Sequence, residues 1–277
     1  MSLLKIFLSI ITCLFLNGMA MPTVSGHRDL TTSFSFNERQ VKDSSKKQVV
    51  ILCYHHIRDS LGTHSPAYSI TVTAFRSHIQ MLRDSGYATI SPDQLYDYFA
   101  YDSSLPAKPA IISFDDGYKE NASVAAPILD SFGFKGLFFI PVAFVGTKGC
   151  MDEKAIKKLS LSGHFIGNHS WSHPDLRKAD SSYWDLQIDS ANAKLQRITG
   201  KSIRYFAYPY GEWTEPVILQ LKKRNFVAAF QLTRKQNKSN PLFTIRRLAV
   251  PGDWSPDMLN RQIKKLFLSP AVPCPVL

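Results

Sequence analysis

From Val49 onward the sequence alternates short apolar runs with stretches whose apolar residues recur every three to four positions. That alternation is the pattern of βα units. A run of four or five apolar residues suits a strand covered on both faces, and the intervening helical period suits helices packed on a parallel sheet. Residues 49–53 read as the first strand. Phe75, Ile79 and Leu82 lie on one face of a helix that Thr73 would cap and Gly86 would stop. A strand at 88–90 leads to Ser91-Pro92, a cap and first-turn proline for a short helix through Leu95 and Phe99. Strands follow at 110–114 and 137–140, flanking a helix over 122–132 that Gly133 closes. Trp184, Ile188, Ala191, Leu195 and Ile198 recur at helical spacing up to Gly200 and read as a core-facing stripe. Strands at 206–208 and 227–230 flank a helix through Val217 and Leu221.

The chain has 277 residues, enough to bury one sizeable core, and one catalytic domain over 49–268 is expected. Residues 1–20 place Lys5 before an apolar run that ends Gly18-Met19-Ala20, the layout of a secretory signal peptide. The run is short for a spanning helix and Ser9, Thr12 and Asn17 interrupt it. Residues 21–48 read as a polar leader or linker, and the proline-containing segment 269–277 as an irregular tail. The expected location is therefore secreted, periplasmic or at the cell envelope.

The formal net charge is +11, and loss of Lys5 with residues 1–20 leaves +10. Lys and Arg are scattered, so a solvated basic surface is preferred over nucleic-acid binding, and peripheral association with an anionic envelope stays open. Cys13 leaves with the signal. Of Cys53, Cys150 and Cys274, the first sits in an apolar run and reads as a core residue, and a Cys150–Cys274 bridge is left open.

Three short segments carry chemistry. The 110–114 strand runs into Asp115-Asp116-Gly117, which puts two carboxylates at a strand's C-terminal end, where barrel active sites collect. Neighbouring residues leaving a strand point in different directions, so one carboxylate can bind a cation while the other stays free as a base. His169 and His173 are four positions apart behind Phe165-Ile166, a spacing that lets both imidazoles reach one ion. Pro174 keeps His173 out of a helix and places the pair on a turn. Tyr208-Pro209-Tyr210-Gly211 forms a rigid turn that could present a backbone NH, that of Tyr210, to a developing oxyanion. Taken singly, each segment has a bland reading as a capped turn, a surface pair or an aromatic turn.

Together and in this order, Ser113-Phe114-Asp115-Asp116-Gly117, His169-Ser170-Trp171-Ser172-His173 and Tyr208-Pro209-Tyr210-Gly211 resemble the first three motifs of the polysaccharide deacetylase family, also called the NodB-homology or carbohydrate esterase family. The resemblance implies an α/β fold, a distorted (β/α) barrel. It implies that Asp116, His169 and His173 hold a divalent metal and that Asp115 is the base. Zn²⁺ is the default ion, and Co²⁺ or Ni²⁺ would also suit the donors. The implied reaction is hydrolytic removal of N-acetyl groups from an N-acetylglucosamine-containing polysaccharide. An O-acetyl esterase and a carbohydrate-binding protein without turnover are the rival readings.

The chain departs from the family pattern at two points. Ala207 and Tyr208 stand where an Arg often opens the third motif, and Arg247 is nominated as the cation that orients Asp115 instead. No histidine follows His173, so the family's late histidine acid has no counterpart. Amide cleavage needs a proton for the leaving amine, and Cys53-Tyr54-His55-His56 ends the first strand at the same barrel face. His55 is the candidate acid and His56 the second choice. A Tyr-His at the first strand resembles the biofilm poly-N-acetylglucosamine deacetylase branch. His78 and His164 read as structural or surface residues, and Gly252-Asp253-Trp254 as a weak match to a fourth motif.

Overall fold

The computed structural model describes residues 48–268, apart from 64, 67 and 181. The signal segment, residues 21–47 of the leader, the tail and Cys274 lie outside the described residues. In chain order the elements begin β1 (Val50–Tyr54), β2 (His56–Arg58), β3 (Ser69–Thr71), α1 (Val72–Asp84), β4 (Ala88–Thr89), α2 (Pro92–Tyr101) and β5 (Pro109–Phe114). They continue α3 (Ala126–Ser131), β6 (Gly136–Ile140), α4 (Glu153–Leu161), β7 (Phe165–Asn168), α5 (Ala191–Thr199) and β8 (Tyr205–Ala207). The last are α6 (Glu215–Lys223), β9 (Ala228–Phe230), β10 (Leu248–Ala249) and α7 (Pro256–Ile263).

Eight strands make one parallel sheet in the order β10-β1-β5-β6-β7-β8-β9, with β4 also paired to β5. A parallel bridge between Phe230 and Ile245 ties β9 to the segment that leads into β10, so the two ends of the sheet meet through residues 245–247. Side chains alternate across the strands. Ile51, Ile111, Leu137, Phe139, Tyr205, Ala207 and Phe230 form one apolar cluster. Leu52, Tyr54, Ile112, Phe114, Phe138 and Ile140 form another with the buried faces of the surrounding helices, among them Phe75, Ile79, Leu82, Ile156 and Leu195. Each fully buried Leu, Ile or Phe among them contributes roughly 1.5–3 kcal/mol. This is the α/β barrel architecture expected, and its rigid strand ends carry the site.

The helix expected after Thr73 starts earlier: Thr71 is the cap, its hydroxyl accepting from the Ala74 amide at 3.1 Å. The reason is β3, a three-residue strand paired with β2, which hands the chain directly into α1. The expected helix over 122–132 begins as a π-helical turn, Asn121–Ala125, before α3. Ser91 caps α2 as expected, and Gln94 returns the bond to the Ser91 amide, completing a reciprocal cap. Five elements had no reading from sequence: β2, β3, α4, β10 and α7. Cys53 and Cys150 are both free thiols. Among the described residues no helix is long and apolar enough to cross a membrane.

Candidate active site

Period-2 alternation puts Cys53 and His55, Ser113 and Asp115, and Gly167 and His169 in matching phase at the ends of β1, β5 and β7. The register that pairs Cys53 with Ser113 then sets the β1 and β5 residues side by side. Chain reversals follow at once. Asp116, Ser170, His173 and Tyr210 all take left-handed backbone conformations, with φ of 68°, 67°, 59° and 61°. Non-glycine residues adopt this region at a cost of about 1–2 kcal/mol.

Asp116, His169 and His173 converge. Asp116 Oδ1 lies 3.4 Å from His173 Nε2 and 3.6 Å from His169 Nε2. The loop that carries the histidines is pinned from within and from outside. The Asn168 carboxamide oxygen accepts from the Ser170 amide at 2.8 Å, Ser170 Oγ accepts from the His173 amide at 2.9 Å, and buried Gln187 accepts from the Trp171 and Ser172 amides. Gln187 belongs to a π-helical segment, Asp185–Ser190, and its part in the site had no signal in the sequence.

His169 Nδ1 donates to the Ala207 carbonyl at 2.8 Å, which leaves Nε2 as the nitrogen that faces Asp116. One carboxylate oxygen and two imidazole nitrogens, one with its tautomer fixed by a backbone carbonyl, form a donor set that fits a divalent ion such as Zn²⁺. Burial lowers the His169 pKa, but the carboxylates of Asp115 and Asp116 outweigh it and hold the pKa up. Burial, with the charge of His169, takes His173 down to about 4, which leaves that ring neutral and able to ligate.

Asp115 is buried and is clamped by Arg247, which is 0% exposed. Nη1 donates to Oδ1 at 2.6 Å and Nη2 to Oδ2 at 2.7 Å, a bidentate fork. Nη1 also reaches Ser113 Oγ at 3.3 Å, and Nε donates to the Gln231 carbonyl at 3.1 Å. Burial alone would raise the Asp115 carboxyl, but Arg247, then His169, hold it well below the usual carboxylate range. The cation nominated from sequence is the one that the fold delivers.

Cys53, read from sequence as a core residue, is buried but also takes part in the site: its thiol donates to Asp115 Oδ2 at 3.4 Å. Burial pushes that thiol up, so it stays protonated. His55 faces the same cluster, with Cys53, His55 and Asp115 offering atoms within 4.8 Å of one another. Its ring stacks on exposed Tyr68, and its buried Nδ1 has no hydrogen-bond partner among the described residues. Burial lowers the pKa of His55.

His56 is placed differently. Its Nδ1 lies 3.1 Å from Glu120 Oε1 and 3.2 Å from Arg58 Nη2, and its ring stacks on Tyr118. Tyr210, the third-motif residue, is 61% exposed, with its ring 4.5 Å from that of His173. Trp254 is half-buried against the core, and its carbonyl accepts from His78, which also bonds the Tyr54 hydroxyl. His78 and His164 are both buried, His164 Nδ1 accepting from the Gly136 amide, so their structural reading holds.

The family model for polysaccharide deacetylase matches residues 102–229, a span that includes the Asp115–Asp116, His169–His173 and Tyr208–Gly211 segments. Residues 102–229 are thus a polysaccharide deacetylase domain by family match. It is 31% identical to the peptidoglycan-N-acetylmuramic acid deacetylase PdaA of Bacillus subtilis over 53% of this chain and 55% of that one. Among solved structures, IcaB from Ammonifex degensii matches with a TM-score of 0.66 at 26% identity, covering 79% of this chain and 98% of that one. The Streptococcus pyogenes deacetylase PplD, solved with acetate, shares the fold with a TM-score of 0.73 at 20% identity over 79% and 99%. The chain spans about half to two thirds of the length of the curated relatives it matches.

Proposed function

We propose that this chain is a metal-dependent N-deacetylase that releases acetate from a polysaccharide containing N-acetylglucosamine. The observation that carries the reading is the placing of two adjacent carboxylates in different chemistry. Asp116 faces two imidazole nitrogens at 3.4 and 3.6 Å, while Asp115 is held apart in the Arg247 fork at 2.6 and 2.7 Å. A divalent ion held by Asp116, His169 and His173 would supply Lewis-acid polarisation of the acetamide carbonyl and a bound water of lowered pKa.

The protein's own groups do the rest. Asp115, ionised across the neutral range, accepts the proton of the attacking water, and the Arg247 fork keeps its carboxylate oriented. The backbone N–H of Tyr210, in the left-handed turn beyond β8, is the donor assigned to the oxyanion. His55 passes a proton to the departing amine. Because burial depresses its pKa, His55 enters the cycle neutral; it takes from Asp115, whose ligand atom lies within 4.8 Å, the proton that the water gave up, and hands that proton to the amine. His56, tied to Glu120 and Tyr118, is given no part in that transfer. The relative PdaA, named for a peptidoglycan N-acetyl group, supports an amide rather than an ester substrate.

The test is acetate release by metal-loaded and chelator-treated protein on N-acetylglucosamine oligomers and on O-acetylated xylan. The reading expects release from the first, loss on chelation, and restoration by Zn²⁺, Co²⁺ or Ni²⁺. Faster release from the xylan overturns the N-acetyl assignment, and binding of glycan with no release from any substrate overturns catalysis. We further propose, from the signal-like layout of residues 1–20, that the protein acts outside the cytoplasm; mass spectrometry of the exported protein should give a chain starting after Ala20, and a chain retaining residues 1–20 overturns this.

A further inference from the structure

We propose that Tyr118 is the positioning residue that decides which oxygen of Asp116 faces the metal, and that His56 and Glu120 hold Tyr118 for that task. The inference rests on the metal reading given above. A carboxylate offers two equivalent oxygens, and the terminal torsion of Asp is broad, so a lone Asp ligand can swap oxygens or present both. Here the two are distinguished. Asp116 Oδ1 faces both imidazoles, while Oδ2 accepts from the Tyr118 hydroxyl at 3.1 Å.

Tyr118 is itself constrained along its length. Its backbone bridges to Cys150. Its ring lies over that of His56, with centroids 3.6 Å apart and planes 28° apart, so it cannot swing without displacing the imidazole. That imidazole is anchored by Glu120 at 3.1 Å, with Arg58 3.2 Å from the same nitrogen. None of these groups is needed for the proton transfers assigned to Asp115 and His55. Their joint effect falls on Asp116. A hydrogen bond that engages the outer oxygen of a ligating carboxylate leaves the inner one to the ion, and loss of such a support typically weakens metal affinity about 10–100-fold.

The experiment measures Zn²⁺ affinity by competition with a chromophoric chelator for the wild type, Tyr118→Phe and Glu120→Gln. The melting temperature of each metal-free protein and the d–d spectrum of each Co²⁺-loaded protein are recorded alongside. Tyr118→Phe should bind Zn²⁺ about 10–100-fold more weakly with an altered Co²⁺ spectrum and an unchanged metal-free melting temperature. Glu120→Gln should weaken binding in the same direction by less. Zn²⁺ affinity of Tyr118→Phe within twofold of the wild type overturns the proposal while leaving the metal reading intact. If Tyr118→Phe does not fold, an affinity of Glu120→Gln equal to the wild type overturns it instead. A wild type that binds no Zn²⁺ overturns the metal reading and this inference together.

Discussion

The Arg247–Asp115 fork makes a quantitative prediction. Arg247→Met keeps most of the side-chain volume but removes two charged hydrogen bonds at 2.6 and 2.7 Å, together with those to Ser113 and the Gln231 carbonyl. It leaves Asp115, 3% exposed, with the more distant His169 Nε2, at 3.9 Å, in place of the two-point fork. Breaking a buried pair in this way costs about 3–5 kcal/mol, most of it the burden of the stranded charge. In a domain of this size that corresponds to a fall in melting temperature of roughly 6–20 °C.

The sign with pH follows from the direction of the shift. In the wild type the folded Asp115 pKa lies below its unfolded value, so the pair's stabilisation is present above the unfolded pKa and is lost as pH falls through the folded one. Without Arg247, burial dominates and the pKa rises. Asp115 then opposes folding above its unfolded value, and the acid limb of the pH–activity profile moves upward. Urea unfolding of the metal-free protein and acetate release against pH read the two effects. Arg247→Met with Asp115→Asn should recover most of the lost stability and none of the activity. A loss below about 1 kcal/mol for Arg247→Met, or a double variant no more stable than the single one, refutes the reasoning.

Three further outcomes are expected. His55→Ala should lose turnover with Zn²⁺ content preserved, whereas His56→Ala at saturating Zn²⁺ should keep kcat; steady-state kinetics with metal analysis separates them. Gly252→Ala should destabilise at the upper end of about 1–3 kcal/mol or beyond, measured by urea midpoint, because its Cβ would sit 1.6 Å from the Ser69 carbonyl oxygen, a backbone atom. Gly167→Ala should lower both stability and Zn²⁺ affinity, since a Cβ there would meet the Phe139 ring at 2.4 Å just two residues before His169.

What the sequence disclosed of this site was whatever sits within a few residues of a strand end. Asp115, Asp116, His169, His173 and Tyr210 are read from short segments whose order and neighbours define them, and they meet in space because parallel strands deliver their C-terminal ends to one rim. Arg247 was legible only as a candidate, since its reach to Asp115 depends on how residues 245–247 join the two ends of the sheet. Cys53 and Gln187 were not legible. An apolar strand residue and a polar helical one become site residues only through register, Cys53 opposite Ser113, and through packing of a π-helical turn on the histidine loop. The short strands β3 and β10 escaped for a related reason: two or three residues carry no periodicity, and their pairing partners define them.

The backbone conformations explain why the site needs so large a supporting core. Seven described non-glycine residues have positive φ, and four of them, Asp116, Ser170, His173 and Tyr210, belong to the three motifs. A fifth, Tyr68, stacks on His55. At Asp116, Ser170 and His173 glycine would relieve the strain but would remove the group that acts there: a carboxylate, the hydroxyl that accepts from the His173 amide, or an imidazole. The strain must therefore be held by the surroundings, and it is, through the buried Asn168 and Gln187 bonds and through strands packed on both faces. Ser170→Gly tests the balance directly. The backbone at residue 170 becomes easier to form, yet the loop loses its internal acceptor, so Zn²⁺ affinity should fall even where the melting temperature does not.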